Sequence, residues 1–527
     1  MVSEFQGGAA DSIGFHLDPV ILELGQLFAD AGHDLSLVGG PVRDLFLGRD
    51  ALDLDFTTDA TPDRTLALIK PWADTHWEIG KAFGTIGLRK AGFQIEITTY
   101  RAESYDPESR KPVVAFGTSL EDDLFRRDFT INAMALRLPS RQLVDPFGGL
   151  RDLRAGVLAT PGTAEASFSD DPLRMMRAAR FASQLDVGVS ADVRAAMTDM
   201  ADRISIISAE RVRDELVKLI NGARPRVGID LLVETGLADR VLPEVSALRL
   251  EADEHHRHKD VYQHSLQVLE QAADLETDDD GAVPGPDFVL RFAALMHDIG
   301  KPATRRFEDG GAVSFRHHDV VGAKLVSKRM KALRFDNDTI KAVARLVELH
   351  MRFYGYGDAG WTDSAVRRYI TDAGPHLERL HRLTRSDVTT RNRRKAERLA
   401  FAYDDLEQRI AELREREVLD AVRPDLDGQQ IMQLLDLRPG PVVGRAYKHL
   451  LELRMEHGPL DPARAEEELR AWWAQQPESQ ASAAGAATDP ATTDEAAAEK
   501  PATDSPATDS PAVDHPAQQA AVDGRKD

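Results

Sequence analysis

Residues Leu37 to Asp55 restrict this chain more tightly than any other stretch. The apolar run ending at Val38 leads into Gly39-Gly40-Pro41-Val42-Arg43-Asp44, then Leu47-Gly48-Arg49 and Asp53-Leu54-Asp55. Two acids one residue apart on a strand point to the same side of the sheet. Side by side, their carboxylates repel unless a divalent cation sits between them. The glycine pair lets backbone amides approach a triphosphate closely, because a residue without Cβ tolerates unusual φ/ψ. The combination predicts a magnesium site for nucleotidyl transfer, with Asp53 and Asp55 as ligands.

The chain has 527 residues, enough for three or four domains. It contains no cysteine, which excludes disulfides, thiolate zinc sites and a cysteine nucleophile, and leaves histidines and carboxylates to bind metals. With no run of eighteen apolar residues and no basic leader before an apolar segment, a cytoplasmic protein is expected. A net charge of −22 fits poorly with nucleic-acid binding, which needs Lys or Arg on phosphates. Its location matters more: residues 476–527 are Ala, Pro, Thr, Ser and Asp, with ten acids against three bases, and are expected to be a disordered tail. Conversely, Arg379, Arg382, Arg385, Arg391, Arg393, Arg394, Lys395 and Arg398 form either an RNA-facing stripe or a solvated helix face.

Pro19 to Ala31 carries helical apolar spacing and stops at Gly32; Leu35 to Val38 reads as a buried strand, and Asp53 to Thr57 as a strand with both acids on one face. The strand-like run Gln94 to Arg101 offers Glu96 as a third carboxylate, and Gly80 to Gly87 is a glycine-punctuated turn. Glu103 to Pro112 is too charged and too bounded by proline for core. Arg126-Arg127-Asp128 is expected to precede an amphipathic helix, Phe129 to Leu136. Asp171, before Pro172, suits a helix N-cap; Arg174, Arg177 and Arg180 follow at helical spacing, and Ser208 caps a further helix. After Leu250, His264, His297-Asp298, His317-His318, His350 and Asp387 accumulate. Imidazoles and carboxylates converging from separate helices suit a transition metal that activates water.

Gly39-Gly40 through Asp55, with Arg126-Arg127-Asp128-Phe129-Thr130-Ile131-Asn132-Ala133-Met134-Ala135, resembles the signatures of class II CCA-adding tRNA nucleotidyltransferases and of bacterial poly(A) polymerases. The resemblance implies an α+β chain: a flexible 1–17, a polymerase β-like mixed-sheet head at 18–160, a helical neck at 161–248, an HD domain at 249–398, a helical body at 399–475 and the tail. It implies two-metal transfer on Mg2+ at Asp53, Asp55 and Glu96, with ATP and CTP as substrates and tRNA as partner. Gly39, Gly40, Arg43, Arg127, Asp128 and Asn132 would contact the nucleotide. With no nucleic-acid template, the incoming base must be read by the protein, and Asp171 with Arg174 offers an acceptor and a donor; Arg177 and Arg180 extend that basic side. The family pattern there is Glu-Asp-x-x-Arg, whereas this chain has Asp170 first. Glu103 to Pro112 resembles the loop that full CCA-adding enzymes keep and CC-adding enzymes lack.

His264, His297-Asp298 and Asp387 are ordered as in the HD metal-dependent phosphohydrolases, where two-metal members place further ligands at positions like His318 and His350. That likeness implies one or two divalent transition metals, hydrolysis of phosphate esters such as 2′,3′-cyclic phosphates, and Lys301 on a substrate phosphate. The alternatives are a poly(A) polymerase and a partial enzyme that adds only CC or only A.

Overall fold

A computed structural model describes residues 17–50, 53–104, 113–116, 119–249, 261–308, 313–356, 361–390, 392–417 and 423–479. Most of the Glu103 to Pro112 loop, residues 1–16, Arg391 and nearly all of the acidic tail lie outside the described residues.

Asp18 caps the first helix, Pro19–Asp30, by accepting from the Val20 amide, and Pro19 fills the first turn where its missing N–H costs nothing. Its buried stripe of Val20, Ile21, Leu24 and Phe28 packs on a seven-stranded mixed sheet. The strands are β1 (Leu35–Val38), β2 (Asp53–Thr58), β3 (Thr75–Trp77), β4 (Thr85–Lys90), β5 (Phe93–Thr99), β8 (Ala135–Leu138) and β9 (Gln142–Val144), in the order β3-β4-β5-β2-β1-β8-β9; β6 (Arg101–Ser104) and β7 (Val113–Phe116) form a separate ribbon. β2 and β5 run parallel, in the register Asp55↔Glu96, while the other pairs of this sheet are antiparallel. All four residues of β1 are buried, as a strand covered on both faces requires.

The segment Phe129 to Leu136 is not the helix that its amphipathic pattern predicts. Thr130–Asn132 makes one 3₁₀ turn, and Ala135–Leu138 then enters the sheet beside β1 in the register Leu37↔Leu136. Phe129, Ile131, Met134 and Leu136 are all buried, so a short apolar run between two cores carries no period that separates helix from strand.

From Ala164 onward the elements among the described residues are helices and short two-stranded ribbons. One continuous core runs from Phe129 and Phe168 through Leu219 and Leu232 to Phe292, Leu346 and Leu413, joining the neck to the histidine-rich helices. Arg291 helps to fasten that junction. Its guanidinium donates to both oxygens of Glu276 (2.7 and 2.6 Å) and to the carbonyls of Ile220 (3.1 Å) and Gly222 (2.8 Å). Both side chains of the pair are almost fully buried. Arg291→Leu, which strands the Glu276 charge and two carbonyls, is expected to lower unfolding stability by about 3–5 kcal/mol in denaturant titrations.

The chain divides into two units: residues 1–422 with 455–459, and residues 423–454 with 460–527. The helix Arg393–Glu417 passes without a break through position 398. In the second unit, helix Gly428–Leu435 is closed by a capping box in which Asp427 and Gln430 exchange hydrogen bonds, and Ile431, Leu450 and Leu469 belong to a small core of its own. No helix among the described residues is long and apolar enough to cross a membrane.

Candidate active site and metal centre

On β2, Asp53 and Asp55 face solvent while Leu54 and Phe56 are buried. Parallel pairing brings Glu96 of β5 beside Asp55 on the same face, since paired residues share a side of the sheet. Burial pushes the Asp55 carboxyl up, Arg127 pulls it down, and Asp53 pushes it up again, leaving it above the ordinary range. Glu96 is raised by burial and then by Asp55 and Asp53. Three carboxylates crowded onto one face of the sheet fit a divalent cation.

Beside Asp55 opens a cleft of about 500 Å³ between the head and the neck helix Leu173–Leu185. Gly39, Gly40, Arg43, Arg127, Asp128, Asn132, Asp171, Arg174, Arg177 and Arg180 all line it. Gly39 has φ +76°, and a Cβ there would lie 2.8 Å from Arg127 Nη1, so the turn suits glycine on two counts. A chain of hydrogen bonds orders the head side: Arg43 Nη1 donates to Asn132 Oδ1 (2.9 Å), and Asn132 Nδ2 to Asp128 Oδ1 (3.0 Å). Arg177 Nε reaches across from the neck to Asp128 Oδ2 at 2.7 Å. Burial alone would raise Asp128, but Arg177, Asn132 and the Phe129 amide outweigh it and hold the carboxyl below its usual range.

Arg180 pairs with buried Glu215 (3.0 Å) and lies 4.1 Å from the centre of the Phe181 ring. Arg43 and Arg177 stand 5.4 and 5.5 Å from the same ring. Burial, with Arg177 close by, pulls the Arg180 guanidinium down to about 10, still charged at neutral pH. Asp171 sits at the break between helices Ala164–Asp170 and Leu173–Leu185, where its Oδ1 accepts from the Leu173 amide. Its other oxygen takes Arg211 Nη2 at 2.8 Å, while Arg174 donates to Ser167 Oγ (2.8 Å) and the Arg126 carbonyl (2.7 Å). Asp171 and Arg174 therefore line one cleft with separate partners, and Asp170 is exposed. The sequence singled out none of Phe181, Gln184 and Arg211 for the cleft. The i,i+3 and i,i+4 spacing that sets Gln184 in line with Arg177, Arg180 and Phe181 was the available signal.

The second cluster gathers six residues from five helices, His297 and Asp298 being adjacent at the end of one of them. His264, His297 and Asp387 form one group, and Asp298, His318 and His350 another; within each, ligand atoms lie within 4.8 Å of one another. Asp298 bridges them, with Oδ2 at 3.2 Å from His297 Nε2 and Oδ1 at 3.3 Å from His318 Nε2. His264 Nε2 lies 2.9 Å from Asp387 Oδ1. The Nδ1 atoms of His297, His318 and His350 each face a backbone carbonyl three residues earlier, Ala294, Phe315 and Val347, at 2.6–2.8 Å. Those bonds fix the tautomer so that every Nε2 presents a lone pair inward. His297 Nε2 is buried and lacks a well-aligned hydrogen-bond partner, an orphan that a metal would satisfy. Burial and the neighbouring His297 push His350 down to about 4, so its imidazole is neutral, the form that ligates. Burial would raise Asp298, yet His297, His318 and Lys301 hold it well below the carboxylate range. The donor set of imidazoles and carboxylates fits one or two transition metals. Lys301 Nζ rests 2.5 Å from Asp298 Oδ2 and lines a pocket of about 590 Å³ together with Tyr354, Lys395 and Arg398.

Of the basic residues read as either an RNA-facing stripe or a solvated helix face, Arg379, Arg382, Arg385 and Arg393 are paired with acids. Arg379 forks onto Asp287 at 2.7–3.1 Å, Arg382 pairs with Glu378, and Arg385 with Glu407 and Asp404. Acids brought near by the fold, 92 positions away for Asp287, were invisible in the local charge count.

Comparison with known families places these two sites on known domains. Residues 35–159 match the Poly A polymerase head domain, 187–248 the probable RNA and SrmB-binding site of polymerase A, and 261–391 the HD domain. The class is thus a nucleotidyltransferase of the poly(A) polymerase type joined to an HD domain. An A-adding tRNA nucleotidyltransferase of Deinococcus radiodurans is 34% identical over 445 residues, 82% of this chain and 94% of the relative. The chain belongs to the tRNA nucleotidyltransferase family. A CCA-adding enzyme of Leuconostoc mesenteroides is 41% identical over 214 residues, and that match spans 40% of this chain and only about half (51%) of the relative. Among solved structures, the Bacillus stearothermophilus CCA-adding enzyme in complex with CTP superposes with a TM-score of 0.64 at 22% identity, covering 86% of this chain and 98% of that one. The Thermotoga maritima CCA-adding enzyme complexed with tRNA gives 0.53 at 18%, covering 86% and 96%. These likenesses fix the α+β fold, a mixed-sheet head followed by helices.

Proposed function

We propose that the chain completes the 3′ end of tRNA by adding C, C and A from CTP and ATP without a template. The single observation that carries this reading is that Asp55 and the neck residues Asp171, Arg174 and Arg177 line one cleft. Asp53, Asp55 and Glu96 would hold magnesium, which when bound lowers the pKa of a hydroxyl and neutralises triphosphate charge. The chain's own contribution is positional. Gly39 and Gly40 leave room for phosphates at the start of helix Gly40–Leu47, where amides point outward. Arg43 and Asn132 hold Asp128 in place for the sugar, and Asp171 and Arg174 present an acceptor and donors to a base edge.

A second reading, addition of the terminal A alone, is favoured by the name of the Deinococcus relative, which this chain matches along nearly its whole length. The HD cluster is proposed as a separate phosphohydrolase site for phosphate esters such as 2′,3′-cyclic phosphates. Incorporation onto a tRNA transcript ending at the discriminator base, with CTP, ATP or both, tests the set. Two C residues from CTP and one further A only with both nucleotides is the expected result. A single A added only to transcripts already ending in CC would replace it with the A-adding reading, and a long ATP-dependent tail on unrelated RNA with a poly(A) polymerase.

A further inference from the structure

We propose that the groove between helices His318–Ala332 and Asn337–Leu349 is a docking track for the phosphate backbone of RNA, remote in sequence from the nucleotide cleft. The inference rests on the reading that RNA is the substrate. A chain of net charge −22 repels RNA as a whole, so binding needs a local surface of unopposed cations. Arg379, Arg382 and Arg385 do not supply it, because Asp287, Glu378 and Glu407 neutralise them.

Lys324, Lys328 and Lys331 do. All three are exposed on helix His318–Ala332, and spacing of four and three residues sets them on one face. Among the described residues none of them has an ion-pair or hydrogen-bond partner through its side chain. They form one wall of an open groove of about 980 Å³, whose other wall carries Lys341 and Arg345. The acids at its closed end are already held: Arg345 binds Glu348 (2.7 Å) and Asp372 (3.3 Å), and Arg352 also binds Asp372 (2.9 Å). Lys341 faces Asp338 at 3.6 Å with both groups exposed, a screened contact of little strength. The floor between the walls is small and uncharged, with Ala323, Ser327 and Ala344.

The geometry favours a polymer over a small anion. At a rise of 1.5 Å per residue the three ammonium groups are spread over about 10 Å, in steps of about 6 and 4.5 Å, so each can meet a different phosphate of one strand. A free phosphate would need them to converge. Lysines on flexible stems act as point charges and carry no base readout, so the track is indifferent to sequence. It would serve every tRNA alike.

The test is the salt dependence of tRNA binding for the full chain and for Lys324→Gln/Lys328→Gln/Lys331→Gln, with the corresponding triple Lys→Arg variant as rescue. Losing three phosphate contacts is expected to flatten the slope of log affinity against log salt by about 2–3, and to weaken binding at least about tenfold near physiological salt. The arginine variant should match the wild type, and single-turnover incorporation at saturating tRNA should stay unchanged in both. A glutamine variant with the wild-type slope and affinity overturns the proposal. If the triple variant fails to fold, Lys324→Gln/Lys328→Gln should still flatten the slope by about 1.5–2, and an unchanged slope there counts equally against the track. A wild type that binds tRNA but adds no nucleotide would refute the proposed function while the binding slopes still judge the groove.

Discussion

Asp55→Asn is expected to reduce nucleotide incorporation by at least about a thousandfold, the loss of roughly 4 kcal/mol of metal-dependent stabilisation. The same variant should be no less stable than the wild type. Burial and Asp53 raise the Asp55 carboxyl above its ordinary value, with Arg127 only partly offsetting them. A folded-state pKa above the unfolded one means that the folded chain binds the proton more tightly. Stability therefore falls as pH rises through the interval between the two values, and at neutral pH the ionised group is a net liability. Asparagine removes that liability together with the ligand. Magnesium should raise the melting temperature of the wild type and leave that of the variant nearly unmoved. Incorporation within tenfold of wild type would show that the carboxylate is not part of the reacting centre, and a large drop in melting temperature without metal would show that it serves the fold instead.

The second large effect is expected at the other cluster. His297→Ala should strip metal from the HD site and lower hydrolysis of cyclic phosphodiesters by about a hundredfold or more, with CTP and ATP incorporation unchanged. His297 is buried against both ligand groups, and its Nε2 is left without an aligned partner in the protein. Metal content by mass spectrometry, measured beside both activities, separates the outcomes. Loss of metal with loss of hydrolysis alone supports two independent centres. Loss of both activities in a variant that keeps the wild-type melting temperature would refute that independence.

What could be read in the sequence followed from local rules. A strand has a two-residue period, so Asp53 and Asp55 had to share a face, and the register of β5 sets Glu96, already offered as a third carboxylate, beside Asp55. The capping residue Ser208 was readable because a cap bonds within three residues. Where the outcome depended on distant partners, the sequence misled or was silent. Ala135–Leu138 is a strand because β1 offers it hydrogen bonds, and nothing within the segment says so. Arg385 is neutralised by Glu407, 22 residues away, across two helices that only packing brings together. Asp171 and Arg174, read together as acceptor and donor for a base, both line the cleft, while Arg211, which holds Asp171 from forty positions away, could not be read from local spacing.

The continuous core from Phe129 to Leu413 has a bearing on descent as well as on folding. The helices that carry the histidine cluster also cover apolar surface of the neck, so they cannot be deleted without exposing the support of the nucleotide cleft. A lineage that did without the proposed hydrolysis would shed the six clustered residues one substitution at a time and retain the helices. In such descendants the second domain would persist as a silent buttress, recognisable by its packing after its chemistry had gone.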